Sequence, residues 1–397
     1  MTPSNPAARH DAPIKDALPG GQPDAASQLL GASRRLAPLL LERRDEFDRL
    51  RRLPDDVFGV LADAGLFRLW LPKAVGGPEL SPFEFMSVVE AVSAIDGSVG
   101  WLVGNGGGMS RAGGYVDRAV AKEWFSDPRA FVAAATGAVG TATPVKGGYR
   151  IAGRWPFASG AHLASLFMAL VAASPDAPRR CCYVPRQDVT ILDNWHVSGL
   201  RGTGSCDFEI HDVFVPAEHT HPFLELKPSD PGLVYRMPHV STFAWTISAV
   251  PLGIARAALD AFVELASRKG VGTPASLRDR EVVQTTVGRA EAMHRAARAF
   301  LVDAMTDLMA ATDIGGERLM KTRPAFRLAS TFAAEAAVSI VDALSASAGS
   351  ASIFETCRLE RAARDVRAAA RHVALGPNNY IIAGRLRLGL DLGTTRF

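Results

Sequence analysis

Gly147-Gly148-Tyr149-Arg150-Ile151-Ala152-Gly153-Arg154-Trp155-Pro156-Phe157-Ala158-Ser159-Gly160 stands where the hydrophobic period of the chain changes. The Gly-Gly pair has the backbone freedom of a turn, and Tyr149–Gly153 behind it reads as a strand. Leu166–Ala172, Cys182–Val184, Val189–Leu192 and Phe208–Val215 are also short and strand-like, with Gly and Pro between them. Residues 131–235 therefore predict a small β-domain.

Outward from it, the period is helical. Within 27–130, Leu29, Leu30, Leu36, Leu39 and Leu40 recur at helix spacing. Pro54 suits a helix start ahead of Val57, Phe58, Val60 and Leu61, and Ser81 suits the N-cap of a helix over Pro82–Ile95. Within 236–397, the alanine-rich segments Ile247–Ser267, Arg278–Ala311, Arg323–Ala348 and Glu355–Val373 predict an antiparallel bundle. The fold class is mostly α with a central β-domain. Strand and helix do not alternate, which speaks against a dinucleotide-binding fold, and G-x-G-x-x-G, P-loop, H-E-x-x-H and G-x-S-x-G are all missing. Residues 1–26, with five prolines and no apolar run, predict a disordered tail without a signal peptide.

Bulk chemistry narrows the function classes. The 44 basic and 41 acidic residues leave a net charge of +3, too balanced for nucleic acid. The longest largely apolar stretch, Phe243–Ala255, falls short of the ~18 residues of a membrane span. The four cysteines lack metal-ligand spacing, so no metal site is expected, and reduced thiols in a cytoplasmic protein are the simple reading.

From about residue 30 to the C-terminus, these segments resemble the acyl-CoA dehydrogenase superfamily. Gly153–Gly160 looks like the stretch beside the flavin ring. Trp195-His196-Val197-Ser198-Gly199-Leu200-Arg201-Gly202-Thr203-Gly204-Ser205-Cys206-Asp207 resembles the later β-domain loop, and Asp212-Val213-Phe214-Val215-Pro216 follows it. The resemblance implies an N-terminal helical domain, a β-barrel-like middle domain, a C-terminal four-helix bundle and a homotetramer. In the dehydrogenases a glutamate following an Arg-Asp pair removes the substrate α-proton. Here Arg364-Asp365 is followed by no carboxylate until Asp391, and His372 stands nearby instead.

That histidine, with Trp-x-Phe-x-Ser-Gly at 155–160 and the tail residues Tyr380 and Gly384, resembles the two-component flavin monooxygenases of this fold. They take reduced FMN or FAD from a separate reductase and react it with O2 to a flavin C4a-hydroperoxide, which needs a dry site that holds N5–H. The resemblance implies catalytic roles for Ser159, beside N5, and for His372, as general base or hydroperoxide stabiliser. Trp155 and Phe157 either wall the isoalloxazine or fill the β-domain core. Thr136 either meets the flavin pyrimidine edge or ends a strand, and Arg268 either meets the flavin phosphate, often across a subunit boundary, or is a solvated charge. Trp101 either stacks on substrate or is core. Met109 stands roughly where phenol hydroxylases of this branch carry a histidine, which points to an indole-like, other heteroaromatic, or N- or S-centred substrate. Arg111 is expected at the surface, with a substrate carboxylate as its alternative partner. Two other readings stay open: an acyl-CoA dehydrogenase with a relocated carboxylate, and a non-catalytic flavin-binding relative.

Overall fold

The computed structural model describes residues 24–224, 226–268 and 276–394; most of the expected tail, residues 1–23, lies outside them. The first helical layer holds α1 (Ala25–Leu50), α2 (Asp55–Asp63), α3 (Pro82–Ile95), α4 (Gly97–Met109) and α5 (Arg118–Trp124). Local chemistry explains most of their starts. Asp24 caps α1 by accepting from the Ser27 N–H, and Ser81 with Glu84 closes a capping box around Pro82 at the start of α3.

α4 runs against local propensity. It contains Gly100, Gly104, Gly106, Gly107 and Gly108, yet it is helical and almost wholly buried. Close packing is the reason. A Cβ on Gly104 would lie 2.1 Å from the Thr246 carbonyl oxygen, and one on Gly106 would lie 2.3 Å from the Phe131 ring. Only a bare backbone lets α4 sit this deep.

The middle of the chain is a seven-stranded sheet in the order β5-β6-β2-β1-β3-β4-β7. Its strands are β1 (Val132–Val145), β2 (Gly148–Ala158), β3 (Leu166–Ala172), β4 (Arg180–Pro185), β5 (Thr190–Leu192), β6 (Cys206–Pro216) and β7 (Thr220–Pro222). β1 is parallel to β3 and antiparallel to β2. Between Trp155 and Ala158 the β2–β6 register shifts, so the bulged strand turns Phe157 outward at φ 64°.

The second helical layer holds α6 (Leu233–Arg236), α7 (His239–Ser248), α8 (Val250–Ser267), α9 (Glu281–Thr312), α10 (Gly316–Ala348), α11 (Arg358–Ala370) and α12 (Asn378–Arg387). α3, α8, α10 and the sheet share one apolar core that includes Val88, Phe262, Ala333 and Phe208. One expectation from the sequence needs correcting. His239–Ser267 and Gly316–Ile353 are each long and apolar enough to cross a membrane by length and composition. In the first, 78% of the apolar window is buried inside the protein, as in a core helix.

A buried ionic cluster joins the layers. Arg361 pairs with Asp48 at 3.0 Å and reaches Asp96 at 3.5 Å. Asp96 caps α4, while Asp365 accepts from the Leu200 N–H at 2.7 Å. Burial, then the nearby Asp96, pushes the Asp365 carboxyl up to about 7. The Arg364-Asp365 pair is thus structural. It clamps α11 onto the loop that leads to Thr203 and Ser205.

Candidate active site

Trp101, Ser159 and His372 come from the first helical layer, the sheet and the second helical layer, and they meet. The Trp101 indole N–H donates to Ser159 Oγ at 3.0 Å. The Trp101 and His372 rings meet edge-on with centroids 5.6 Å apart. Gly160 makes the turn behind Ser159 at φ 75°, with its N–H on the Thr203 carbonyl at 2.8 Å. A Cβ there would lie 2.6 Å from the Phe131 ring. Gly160→Ala is therefore expected to cost about 2–4 kcal/mol, combining left-handed strain with overpacking. The measurement is the urea midpoint, and an unchanged midpoint would refute this account of the turn.

The hydroxyl hydrogens around Ser159 have one consistent direction. Ser159 Oγ lies 2.8 Å from Ser205 Oγ, which lies 2.7 Å from Thr203 Oγ1. Thr203 donates to the Leu200 carbonyl at 2.9 Å. An indole N–H is only a donor and a carbonyl is only an acceptor. All links are made only if Ser159 donates to Ser205, Ser205 to Thr203 and Thr203 to Leu200. Ser159 then has no hydrogen left and one lone pair free, so toward a ligand it can only accept. Ser205 and Thr203 had no role assigned from sequence. The Thr203-x-Ser205 spacing between glycines was visible there, but its partner Ser159 is 46 residues from Ser205.

His372 is similarly committed. It opens the turn after α11, and its Nδ1 accepts from the Ala374 N–H at 3.1 Å. The neutral ring therefore carries its hydrogen on Nε2. The side chain is accessible yet ringed by protein, as in a cleft. That surrounding protein, then the Arg327 cation, pushes its pKa down. Arg327 itself is buried and bonded to Asn379 Oδ1 at 3.2 Å. His372 thus presents an Nε2–H donor, and the base nitrogen of the neutral ring is occupied.

The other candidates divide. Phe157 is 66% exposed at its left-handed backbone, a strained placement typical of functional positions. Trp155 departs from a cofactor role. It is fully buried, stacks on Phe208 at 5.1 Å and donates to the Leu170 carbonyl. Alternation alone would put residues two apart on one face; the register shift after Trp155 and the left-handed backbone of Phe157 turn Phe157 out while Trp155 stays in the sheet core. Thr136 is half-buried in β1, beside Gly137, which sits against Pro156 of β2. Met109 is buried in a second apolar cluster at the far end of α4, on the helical stripe of Trp101 and Asn105. Arg268 stands apart at the C-cap of α8 and pairs with Glu264. Arg111, expected at the surface, is 1% exposed.

These residues fit a reduced flavin: an obligate acceptor for N5–H at Ser159, an outward aromatic at Phe157 and a donor at His372. Among the described residues, no carboxylate bonds to Trp101, Ser159, Ser205, Thr203 or His372. His162, Asp193 and Cys206 bring ligand atoms within 4.8 Å of one another. The Arg51 guanidinium occupies Asp193 at 2.8 Å, which argues against a cation there.

The helix–sheet–bundle order and a site suited to reduced flavin together define a class of flavoprotein oxygenases. Comparison with known proteins agrees. Residues 30–123 match the acyl-CoA dehydrogenase N-terminal domain and 245–377 the C-terminal domain. The chain is 32% identical to the indole-3-acetate monooxygenase of Pseudomonas putida, over 87% of this chain and 90% of that protein. It is 31% identical to the flavin-dependent monooxygenase oxygenase subunit HsaA of Rhodococcus jostii, over 91% of this chain and 98% of that one. The crystal structure of XiaF from Streptomyces in complex with FADH2 and glycerol superposes with a TM-score of 0.85 at 26% identity, covering 94% of this chain and 98% of that one. The chain belongs to the acyl-CoA dehydrogenase superfamily, and within it to the flavin-dependent monooxygenases.

Proposed function

We propose that this oxygenase accepts reduced FAD or FMN from a separate reductase and oxygenates an indole-like or other heteroaromatic substrate. The observation that carries it is the one-way hydroxyl chain, which makes Ser159 an acceptor for a group that bears N–H only when reduced. Reduced flavin, when bound, supplies two electrons, so that one oxygen of O2 enters the substrate and the other leaves as water. Ser159 holds the N5 hydrogen. His372 offers Nε2–H to the oxygen atoms being transferred, and Trp101 orients Ser159 while presenting its ring edge to His372. Phe157 and Thr136 border the ring system. Met109, in place of a polar reader, favours an apolar aromatic body.

Exposed Val373, Ile381 and Leu388 near the C-terminus support burial against further copies of the chain, up to the homotetramer. In that assembly Arg268 reaches a neighbour's flavin phosphate. The free cysteines support a cytoplasmic setting.

The test supplies purified protein with a flavin reductase, NADH and an indole panel under labelled O2. One labelled oxygen per product molecule is expected. Anaerobic reduction of bound flavin by an acyl-CoA, with no oxygen transfer, would establish the dehydrogenase reading instead.

A further inference from the structure

Arg111 follows α4 in a short 3-10 turn and is buried without a carboxylate. Its Nη2 reaches the His239 carbonyl at 3.4 Å, and its Nη1 has no partner among the described residues. The guanidinium lies 4.6 Å from the Phe243 ring centroid and 6.0 Å from that of Tyr115. Cation–π contact at that range offsets only part of the cost of burying a charge.

The neighbours are unpaired too. The Tyr115 hydroxyl and both ring nitrogens of His239 are buried without partners among the described residues. The Tyr115 and His239 rings lie 5.6 Å apart. Next to them, His221 is satisfied. Its Nδ1 donates to the Pro222 carbonyl at 2.8 Å and its Nε2 accepts from Tyr183 at 2.9 Å. What remains around Arg111 is an excess of donors: the guanidinium fork, a phenol O–H and an imidazole N–H. Such a set calls for an acceptor-rich anion.

The placement ties this set to the flavin site. Trp101 and Arg111 are separated by about 15 Å of helix rise. α7, which supplies His239 and Phe243, packs along α4 and touches the turn that holds His372. Ala134, Val240 and Phe243 are only partly buried and pack on the same apolar cluster as Met109. The stretch of α4 that leads to Arg111 is thus flanked by apolar side chains.

We propose that Arg111, Tyr115 and His239 bind the carboxylate of an aromatic acid, whose ring lies toward Trp101 and His372. This rests on the oxygenase reading above and adds the substrate's charge. The carboxylate neutralises Arg111 and accepts from Tyr115 and His239, and the apolar stretch holds the ring.

The test uses indole-3-acetate and 3-methylindole as charged and uncharged probes of one ring system. Wild-type protein without flavin is expected to gain thermal stability with the acid and little with 3-methylindole. Arg111→Gln is expected to weaken indole-3-acetate binding by about 100-fold or more and to leave 3-methylindole within about 3-fold. Arg111→Lys keeps the charge but loses the fork, and is expected to fall between them. Equal loss of both probes, or equal binding of the acid by wild type and Arg111→Gln, would overturn the proposal. The oxygenase reading is scored separately: 3-methylindole oxygenated by wild type with no effect of Arg111→Gln on the acid removes only the anion site, whereas no labelled oxygen in any product removes both.

Discussion

Ser159→Ala is expected to bind reduced flavin about 30-fold more weakly, while its affinity for oxidised flavin changes by less than about 3-fold. The asymmetry follows from the hydrogen-bond direction. With its own hydrogen committed to Ser205, Ser159 can only accept. Reduced flavin carries a hydrogen on N5, and oxidised flavin carries a lone pair there. Alanine leaves that hydrogen facing an apolar wall, and an unmet buried donor costs about 2 kcal/mol. The Trp101 N–H loses its acceptor in the same substitution. Release of the N5 hydrogen ends in hydrogen peroxide, so the fraction of oxygen consumption that reaches product should fall as well. Ser205→Ala is the informative partner. It keeps the Ser159 oxygen but frees its hydrogen, so the preference for reduced flavin should narrow through tighter oxidised flavin. Anaerobic titrations with both redox states give the affinity ratio, and peroxide assays give the coupling. An unchanged ratio in Ser159→Ala would refute the one-way chain.

His372→Ala is expected to lower kcat by about 100-fold, and His372→Gln to recover part of that loss. A glutamine amide can donate a hydrogen bond but cannot act as a base. Recovery therefore separates the Nε2–H donor inferred from the Ala374 contact from the general base left open by sequence. No recovery would favour the base. The pH profile adds a second reading. The surrounding protein and the Arg327 cation disfavour the imidazolium, so the folded-state pKa lies below its ordinary 6.5. The neutral ring is the active form. Activity that depends on it should hold through pH 6 and decline only as pH falls further, and His372→Gln should lose that acid limb. A limb centred near 6.5 in the wild type would contradict the packing around His372.

Much of this was legible in the chain itself. Periodicity located the four long second-layer helices, the strands of the later β-domain and the N-cap at Ser81, because caps and amphipathic stripes are local properties. The residue order around 153–160 and 195–216, the missing carboxylate after Asp365 and the presence of His372 pointed to the family and to the divergence from dehydrogenase chemistry. α4 was not assigned from the sequence, since its glycines run against helix propensity, and Thr246 and Phe131 show why no side chain fits.

What the sequence determined alone was the inventory: the long helices of the second layer, a β-domain before them, and that serine, tryptophan and histidine of the right kinds were available. The tertiary structure decided their relations. The register shift in β2 sends Phe157 out and Trp155 into the sheet, a difference of side-chain direction that pattern leaves undecided. The direction of hydrogens through Ser159, the occupied nitrogen of His372 and the burial of Arg111 without an acid all depend on partners distant in sequence or on side-chain geometry. Hydrogen-bond direction and charge compensation are pairwise quantities, and they take values only when the fold brings the pair together.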